Sequence, residues 1–481
     1  MDGSQEVVPL RIGATRSEGH GVIEVCSPYD GHLVGRVASG DADDLDSAVA
    51  AARSVLAQGP LPAYRRAEIL DSAARLGAER IEHLAGLISE EAAKPIRHAR
   101  VEAQRGVDTL RFSATVARSL TGETVPLDAS AAGSGKLAFV MRVPIGVVAA
   151  ITPFNFPLNL VLHKLGPAVA AGCPVVLKPA SATPLSAHAA ADLFEDAGLP
   201  PGWINVVPCA GSVAQHLVEH PDVAMITFTG SRDVGWAIRA AAPKKKVSLE
   251  LGNNSPVVIE PDGDWAAAAA KIRVAGYSHA GQSCISTQRV YVHQNVASDF
   301  LDALAREVTS LAVGDPSDEA TEVSALITPQ EAERVRSWVE EAIAGGARLV
   351  VGADPLGEDA GPGVVGPVIL ADVTREMKVC AAEVFGPVVA VATYTDLSDA
   401  LEQANDSDYG LQAAIFTSNL SSAIKAAQTL DYGAVLINEV PTWRADQMPY
   451  GGVRDSGNTR EGPAYVAREM TEPRLVVLPA G

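Results

Sequence analysis

The chain has 481 residues, too many for one hydrophobic core, so two or three domains are expected. A hydrophobic content of 47% with 20% charged residues is that of a globular protein, and a formal net charge of −20 argues against a nucleic-acid partner. No segment approaches the ~20 uninterrupted apolar residues of a membrane span, and residues 1–18 are polar with no apolar signal region, which predicts a cytoplasmic protein.

Leu45, Ala48, Val49, Ala52 and Val55 recur at helical spacing behind an acidic first turn, predicting a helix over 44–56. A long helical region follows over 63–117. Gly, Pro, Asp and Ser interrupt it from 121, and Leu137 to Met141 alternate, predicting an extended hairpin over 121–143. From Ile145 the pattern changes to strands over 147–151, 174–178, 204–207 and 223–228, with helices between them over 158–171, 185–197, 213–219 and 234–242. That rhythm predicts an α/β fold with a doubly wound parallel sheet. The second half repeats the style, with a helix over 265–279, a strand over 289–292, and helices over 299–311 and 331–344. Residues 352–366, rich in Gly, Pro and Asp, read as a loop.

Five cysteines stand far apart, at 26, 173, 209, 284 and 380, with no C-x-x-C pair and no Cys/His cluster at zinc spacing. Reduced thiols and no metal site are expected. Cys284, in Gly281-Gln282-Ser283-Cys284-Ile285, follows Glu250 in Leu249-Glu250-Leu251-Gly252 by 34 residues. A thiol is a poor nucleophile until it loses its proton, and a carboxylate can assist that loss or activate water for a later step. Small residues before the sulfur leave room for a substrate carbon. Five further segments accompany this pair. Thr152-Pro153-Phe154-Asn155-Phe156-Pro157 offers an amide in a proline-pinned loop, and Lys178-Pro179-Ala180-Ser181 closes a strand. Gly230-Ser231 and Gly235 lie between a predicted strand and helix, where a helix N-terminus suits a pyrophosphate. Glu383-Val384-Phe385-Gly386-Pro387 and Pro449-Tyr450-Gly451-Gly452 follow. Alone, Asn155 reads as a turn residue, Glu250 as a strand-end carboxylate, and Lys178 or Glu383 as solvated surface.

Taken in order, these motifs resemble those of the aldehyde dehydrogenase superfamily over roughly residues 23–478. The resemblance implies two doubly wound domains and a small β oligomerisation element. The cofactor-binding domain would comprise 1–120 and 143–251, the catalytic domain 252–454, and the oligomerisation element 121–142 with 455–481, building a homodimer or homotetramer. It implies NAD(P)-dependent oxidation of a small aldehyde to the acid through a thiohemiacetal and thioester on Cys284. Asn155 would steady the oxyanion, and Glu250 would activate the hydrolytic water. Thr152, Pro153, Lys178, Ser181, Gly230, Ser231, Gly235, Leu251, Glu383 and Phe385 would hold the dinucleotide. NAD-preferring relatives often carry Glu where Ser181 stands, so NADP is the preferred cofactor, with NAD as the alternative. The tail from Pro449 to Gly457 resembles the lactaldehyde, glyceraldehyde and phosphonoacetaldehyde branches, and the Lys178–Ser181 stretch resembles succinate semialdehyde dehydrogenases. An anionic aldehyde is therefore one option, with Arg111, Arg444, His163 and Ser283 as substrate-facing residues. The competing readings are a coenzyme A-acylating enzyme, in which the Glu250 equivalent is often missing, and a non-catalytic scaffold of the same fold.

Overall fold

The computed structural model describes residues 6–352 and 361–480, so the predicted loop over 352–366 lies partly outside them. Two seven-stranded sheets dominate. In the first, the strands run in the order Lys246–Glu250, Val223–Thr229, Val147–Ile151, Val175–Lys178, Ile204–Val206, Leu10–Ile12 and Thr15–Ser17. The first five are parallel, and the two N-terminal strands add antiparallel to the edge. Val147–Ile151 is buried at every position, as a parallel strand covered on both faces must be. From it the chain winds first to Val175–Lys178 on one side and later to Val223–Thr229 on the other. The crevice at their carboxyl ends is a switch point, where such sheets take ligands.

The second sheet has the order Arg348–Val351, Val368–Ala371, Val388–Tyr394, Arg289–His293, Pro256–Ile259, Gln412–Phe416 and Ala434–Ile437, parallel except for the first pair. Leu251, Cys284, Glu383 and Phe385 all precede strands of this sheet. They lie at its amino-terminal edge, facing the carboxyl edge of the first. In a third sheet, Thr471–Pro479 pairs antiparallel with Lys136–Pro144 along its whole length, and Glu123–Val125 pairs on the other side. Two short 3-10 turns, Leu127–Ala129 and Ala131–Gly133, fill the predicted hairpin.

Two helical expectations change. The region over 63–117 is three helices, Ala63–Glu79, Ile81–Ala92 and Ile96–Ser119. Ala93 takes a left-handed φ of 49° and Pro95 cannot donate into a continuing helix, so the chain turns there. The helix predicted to reach His279 stops at Ala275, because His279, Ala280 and Gly281 have φ of 49°, 53° and 73°.

Candidate active site

Those three left-handed residues shape the approach to Cys284. Gly281 sits so close to the neighbouring loop that a Cβ would lie 2.1 Å from the Gly386 carbonyl oxygen. Only glycine fits there. His279 and Ala280 each hold a conformation that costs an ordinary residue about 1–2 kcal/mol, and surrounding packing maintains it, as at many reactive loops. Gln282 anchors the turn: its Nε2 donates to the His279 carbonyl at 3.2 Å, and its Oε1 accepts from the Ile327 N–H at 2.9 Å.

The Gln282 carbonyl accepts a 2.9 Å hydrogen bond from Asn155 Nδ2, which joins the amide to the nucleophile loop. Asn155 is 3% exposed. One of its two amide N–H groups is held by Gln282, and the other has no partner among the described residues. The Asn155 backbone carbonyl accepts from Lys94 Nζ at 2.6 Å, and that ammonium is buried in an ion pair with Glu102. Glu102 Oε1 in turn accepts from the Leu158 and Asn159 N–H groups. The pair clamps both ends of the Asn155 loop, a role with no local signature in the sequence.

Cys284 and Glu250 share one cavity of about 610 Å³ with Asn155. Cys284 is partly exposed to it. Burial pushes its thiol up to about 12, and the Glu383 and Glu250 carboxylates act in the same direction. Glu250 ends the strand Lys246–Glu250, is 5% exposed, and neither carboxylate oxygen has a hydrogen-bond partner among the described residues. Burial, and then the charge of Glu461, hold its carboxyl well above the usual range, against Arg444, Lys164 and Arg460. A Cβ on Gly451 would stand 2.9 Å from Glu250 Oε1, so glycine leaves that oxygen its space. Behind Glu250 lies a second void of about 10 Å³, lined also by Lys164, Thr459 and Glu461. That is on the order of one water molecule.

The cavity extends from Cys284 to the switch point. Thr152, Pro153, Lys178, Ser181, Gly230, Ser231, Leu251, Glu383 and Phe385 all line it. Phe154 and Phe385 meet edge to face at 5.9 Å and join the two loops across it. Ser231 is the N-cap of the helix Arg232–Ala241, yet its hydroxyl makes no capping bond. A free hydroxyl and the first-turn N–H groups of that helix fit a pyrophosphate. The two glycines differ in place. Gly230 lines the cavity, with its N–H donating to the Glu250 carbonyl at 3.1 Å. Gly235 is outside the lining; a Cβ there would stand 2.4 Å from Leu251 Cδ2, so its part is close packing. Gln215 lines the same end and was not singled out from the sequence.

The substrate candidates separate. Arg111 is exposed on the helix Ile96–Ser119, 3.0 Å from Asp108, and does not line the cavity. Arg111→Leu is therefore expected to leave KM for charged and neutral aldehydes within about twofold, as surface pairs contribute little; a selective rise for charged aldehydes would restore it to the site. Ser283 does not line the main cavity; it lines a small void with Asn253 and with Glu383, which borders both. Arg444 and His163 belong together, and neither lines the main cavity: His163 borders the small void behind Glu250, and Arg444 stands behind Tyr450. His163 is fully buried, a setting that favours the neutral imidazole, and its Nε2 lies 2.9 Å from Asp446 Oδ1. Arg444 pairs with Glu461, lies 3.3 Å from His163 Nε2, and stacks 3.8 Å from the centre of the Tyr450 ring. Its Nε is buried without a partner among the described residues. Although burial pushes Glu461 up, Arg444, His163 and Lys164 hold it down to about 2. The sequence reading missed Arg105, which grips Asp446 through Nε at 3.1 Å and Nη2 at 2.8 Å. It also missed the Tyr450 hydroxyl, 2.8 Å from Cys284 Sγ.

Comparison with known proteins follows the same lines. A family model described as the aldehyde dehydrogenase family matches residues 15–476. The chain is 45% identical over 457 residues to a 3-sulfolactaldehyde dehydrogenase of Priestia megaterium, covering 95% of this chain and 94% of the relative. Among solved structures, it is similar to an NADP-dependent glyceraldehyde-3-phosphate dehydrogenase from Bacillus halodurans, complexed with NADP, at a TM-score of 0.95 and 34% identity over 99% of this chain and all (100%) of that one. An NAD-dependent aldehyde dehydrogenase from Sinorhizobium meliloti also has a TM-score of 0.95 and 34% identity, over 99% and 95% of the two chains.

Proposed function

Because the chain belongs to the aldehyde dehydrogenase family, whose NAD(P)-dependent members oxidise aldehydes, we propose that it converts a short aldehyde with an anionic end into the carboxylic acid through a covalent cysteine intermediate. The observation that carries the anionic reading is Arg444. Its guanidinium is buried, has an Nε without a partner among the described residues, and lies against the tyrosine that touches the nucleophile. The relatives named for 3-sulfolactaldehyde and glyceraldehyde-3-phosphate support it, since both substrates end in an anion.

The Cys284 sulfur attacks the aldehyde carbon, and the Asn155 amide donates to the oxygen that gains charge. Such a donor is worth about 2.7–4 kcal/mol of barrier. NAD(P), when bound, accepts the hydride. Glu250 then takes a proton from the water that attacks the thioester, and the acid leaves. The chamber behind Glu250, with Lys164 and Glu461, offers that proton a polar exit. The position of Glu250 beside Cys284 favours hydrolysis over transfer to coenzyme A.

The test follows NAD(P)H absorbance with 3-sulfolactaldehyde and propionaldehyde. Arg444→Leu is expected to raise KM for the sulfonated aldehyde roughly tenfold to a hundredfold, the worth of one charge-assisted hydrogen bond, and to leave KM for propionaldehyde nearly unchanged, while any loss of kcat that passes through the nucleophile falls on both. An equal rise in KM for both would sink the anionic reading. A product found as a coenzyme A thioester would favour the acylating alternative.

NADP is the preferred cofactor in this reading. Lys178 lines the cavity and forms no ion pair among the described residues, and Ser181 adds no charge beside it. Two charges ~5 Å apart interact by roughly 3 kcal/mol at an effective dielectric of ~20, before screening. Ser181→Glu is expected to lower the NADP-over-NAD ratio of kcat/KM by about tenfold or more; an unchanged ratio would place residue 181 away from the ribose. The sheet boundaries support the division into 1–120 with 143–251, 252–454, and 121–142 with 455–481. The open edge of Thr471–Pro479, with Leu475, Val477 and Leu478 exposed, supports pairing with a second copy in a dimer or tetramer. Five unpaired thiols suit a reducing cytoplasm.

A further inference from the structure

We propose that Tyr450 is a further catalytic residue: its hydroxyl, 2.8 Å from Cys284 Sγ, donates a hydrogen bond to the cysteine thiolate both when it forms and when it is expelled from the thioester. The proposal rests on Cys284 being the nucleophile. It goes beyond that assignment by naming what stabilises the thiolate when it forms in a dry and acidic setting.

The surroundings make such a donor necessary. Glu250 reaches the sulfur from the strand Lys246–Glu250, and Glu383 from the loop before Val388–Tyr394. Both oppose a negative charge on the sulfur, as does burial. Tyr450 Oη is the hydrogen-bond partner of Cys284 Sγ among the described residues. The charged or titratable groups facing Tyr450 are Cys284, Glu250 and Arg444. Burial keeps the phenol protonated far above neutral pH, so it stays a donor when the thiol ionises.

Arg444 completes the arrangement. Its guanidinium lies 3.8 Å from the Tyr450 ring centre, on the face of the ring. A cation over an aromatic face is attracted to the ring electrons, and it draws density from the phenolic oxygen, which strengthens O–H donation. Arg444 cannot touch the hydroxyl from the ring face, so it acts on the sulfur through the ring of Tyr450 and, across space, by its charge, which favours the thiolate. The tyrosine is also fixed in place: it is 2% exposed, and its backbone exchanges hydrogen bonds with Glu461, the partner of Arg444.

The steps balance. On attack, the thiol proton leaves to a base, the S–C bond forms, and the carbonyl π pair moves to oxygen. The sulfur is then neutral, the Tyr450 bond to it weakens, and the thiohemiacetal becomes a thioester when its carbon loses a hydride to NAD(P), as in the proposed reaction. On hydrolysis, water forms a new C–O bond, its proton passes to Glu250, and the C–S bond breaks with its electron pair on sulfur. The Tyr450 O–H receives that pair's charge.

The test is alkylation of Cys284 by iodoacetamide across pH, with the modified peptide identified by mass spectrometry, since Cys26 is also exposed. Tyr450→Phe keeps the ring and its stack on Arg444 and removes only the hydroxyl. It is expected to raise the apparent thiol pKa by about one unit, a tenfold slower alkylation at neutral pH, with kcat/KM falling about as much and cofactor affinity unchanged. A difluorotyrosine at 450, a stronger donor of nearly the same shape, is expected to lower that pKa. An unmoved profile in Tyr450→Phe would make Tyr450 a steric wall. A lower pKa in that variant would mean that the hydroxyl stabilises the thiol instead. Either result overturns the proposal. Alkylation reads the sulfur directly, so these outcomes are separate from a Cys284→Ala variant that stays active, which would remove the nucleophile assignment itself.

Discussion

Cys284→Ala is expected to abolish aldehyde oxidation, by about 10,000-fold or more, while cofactor affinity stays within about twofold. The sulfur makes the only covalent bond to substrate, and removing the nucleophile from a unit that works together costs most of its rate. What remains, the Asn155 amide and the cavity, can bind an aldehyde but offers no second atom to attack it. Cofactor affinity is spared because Lys178, Ser181 and Ser231 line the far part of the cavity, near the ends of the first sheet. Cys284→Ser should behave almost like alanine. A hydroxyl is harder to ionise than a thiol, and this site already pushes the thiol up to about 12. The checks are steady-state NAD(P)H formation and calorimetric titration of NADP. Retention of activity within tenfold of wild type would end the covalent reading.

The middle of the first sheet was legible because its parallel strands are short, mostly apolar and separated by helices with clear stops, whereas the edge strand Lys246–Glu250, with Lys246, Ser248 and Glu250 among its five residues, was not among the predicted strands. Val147–Ile151 occupies the predicted residues, and Asn159–Ala171 ends at Gly172 in a left-handed conformation, φ 85°. The second sheet was less legible. Pro256–Ile259, Gln412–Phe416 and Ala434–Ile437 are four to five residues long and are reached through irregular loops, so no period announces them. The turn at His279 and Ala280 could not be read either. Neither residue favours a left-handed backbone; packing around Gly281 imposes it.

At the site, Cys284, Glu250 and Asn155 were singled out by motif and line one cavity, and the polar network around them was not singled out. The error over Arg111 has a helical cause. Residues advance by about 100° each along a helix, so Arg105 and Arg111 face different ways. Arg105 stands three residues after buried Glu102 and four before buried Thr109, whereas Arg111 stands between Asp108 and exposed Thr115. Helical phase, applied to the buried small residues Ala99, Ala103 and Gly106, would have favoured Arg105. No comparable signal marked Lys94 and Glu102, whose burial only the tertiary fold reveals.

Glu250→Gln separates the two halves of the reaction. It keeps the size of the side chain and removes its basicity. If Glu250 serves chiefly to activate water, the variant forms the thioester at near the wild-type rate and then stalls. The expected trace is a burst of NAD(P)H equal to one per active site, followed by turnover about 100-fold to 10,000-fold slower, the usual worth of a general base. Added hydroxylamine, a nucleophile that needs little assistance, should restore turnover by attacking the same thioester. The pH dependence follows from the direction of the Glu250 shift. A base works only when ionised, and burial with the Glu461 charge holds this carboxyl protonated to higher pH than usual. The wild-type rate of thioester hydrolysis should therefore climb as pH rises through that raised value and fall away below it. Glu250→Gln should lose this ascending limb. An unchanged steady-state rate would remove Glu250 from the mechanism. A missing burst would move its role to the earlier step, the removal of the proton from Cys284, where the Tyr450 hydroxyl would then await a thiolate that another base must supply.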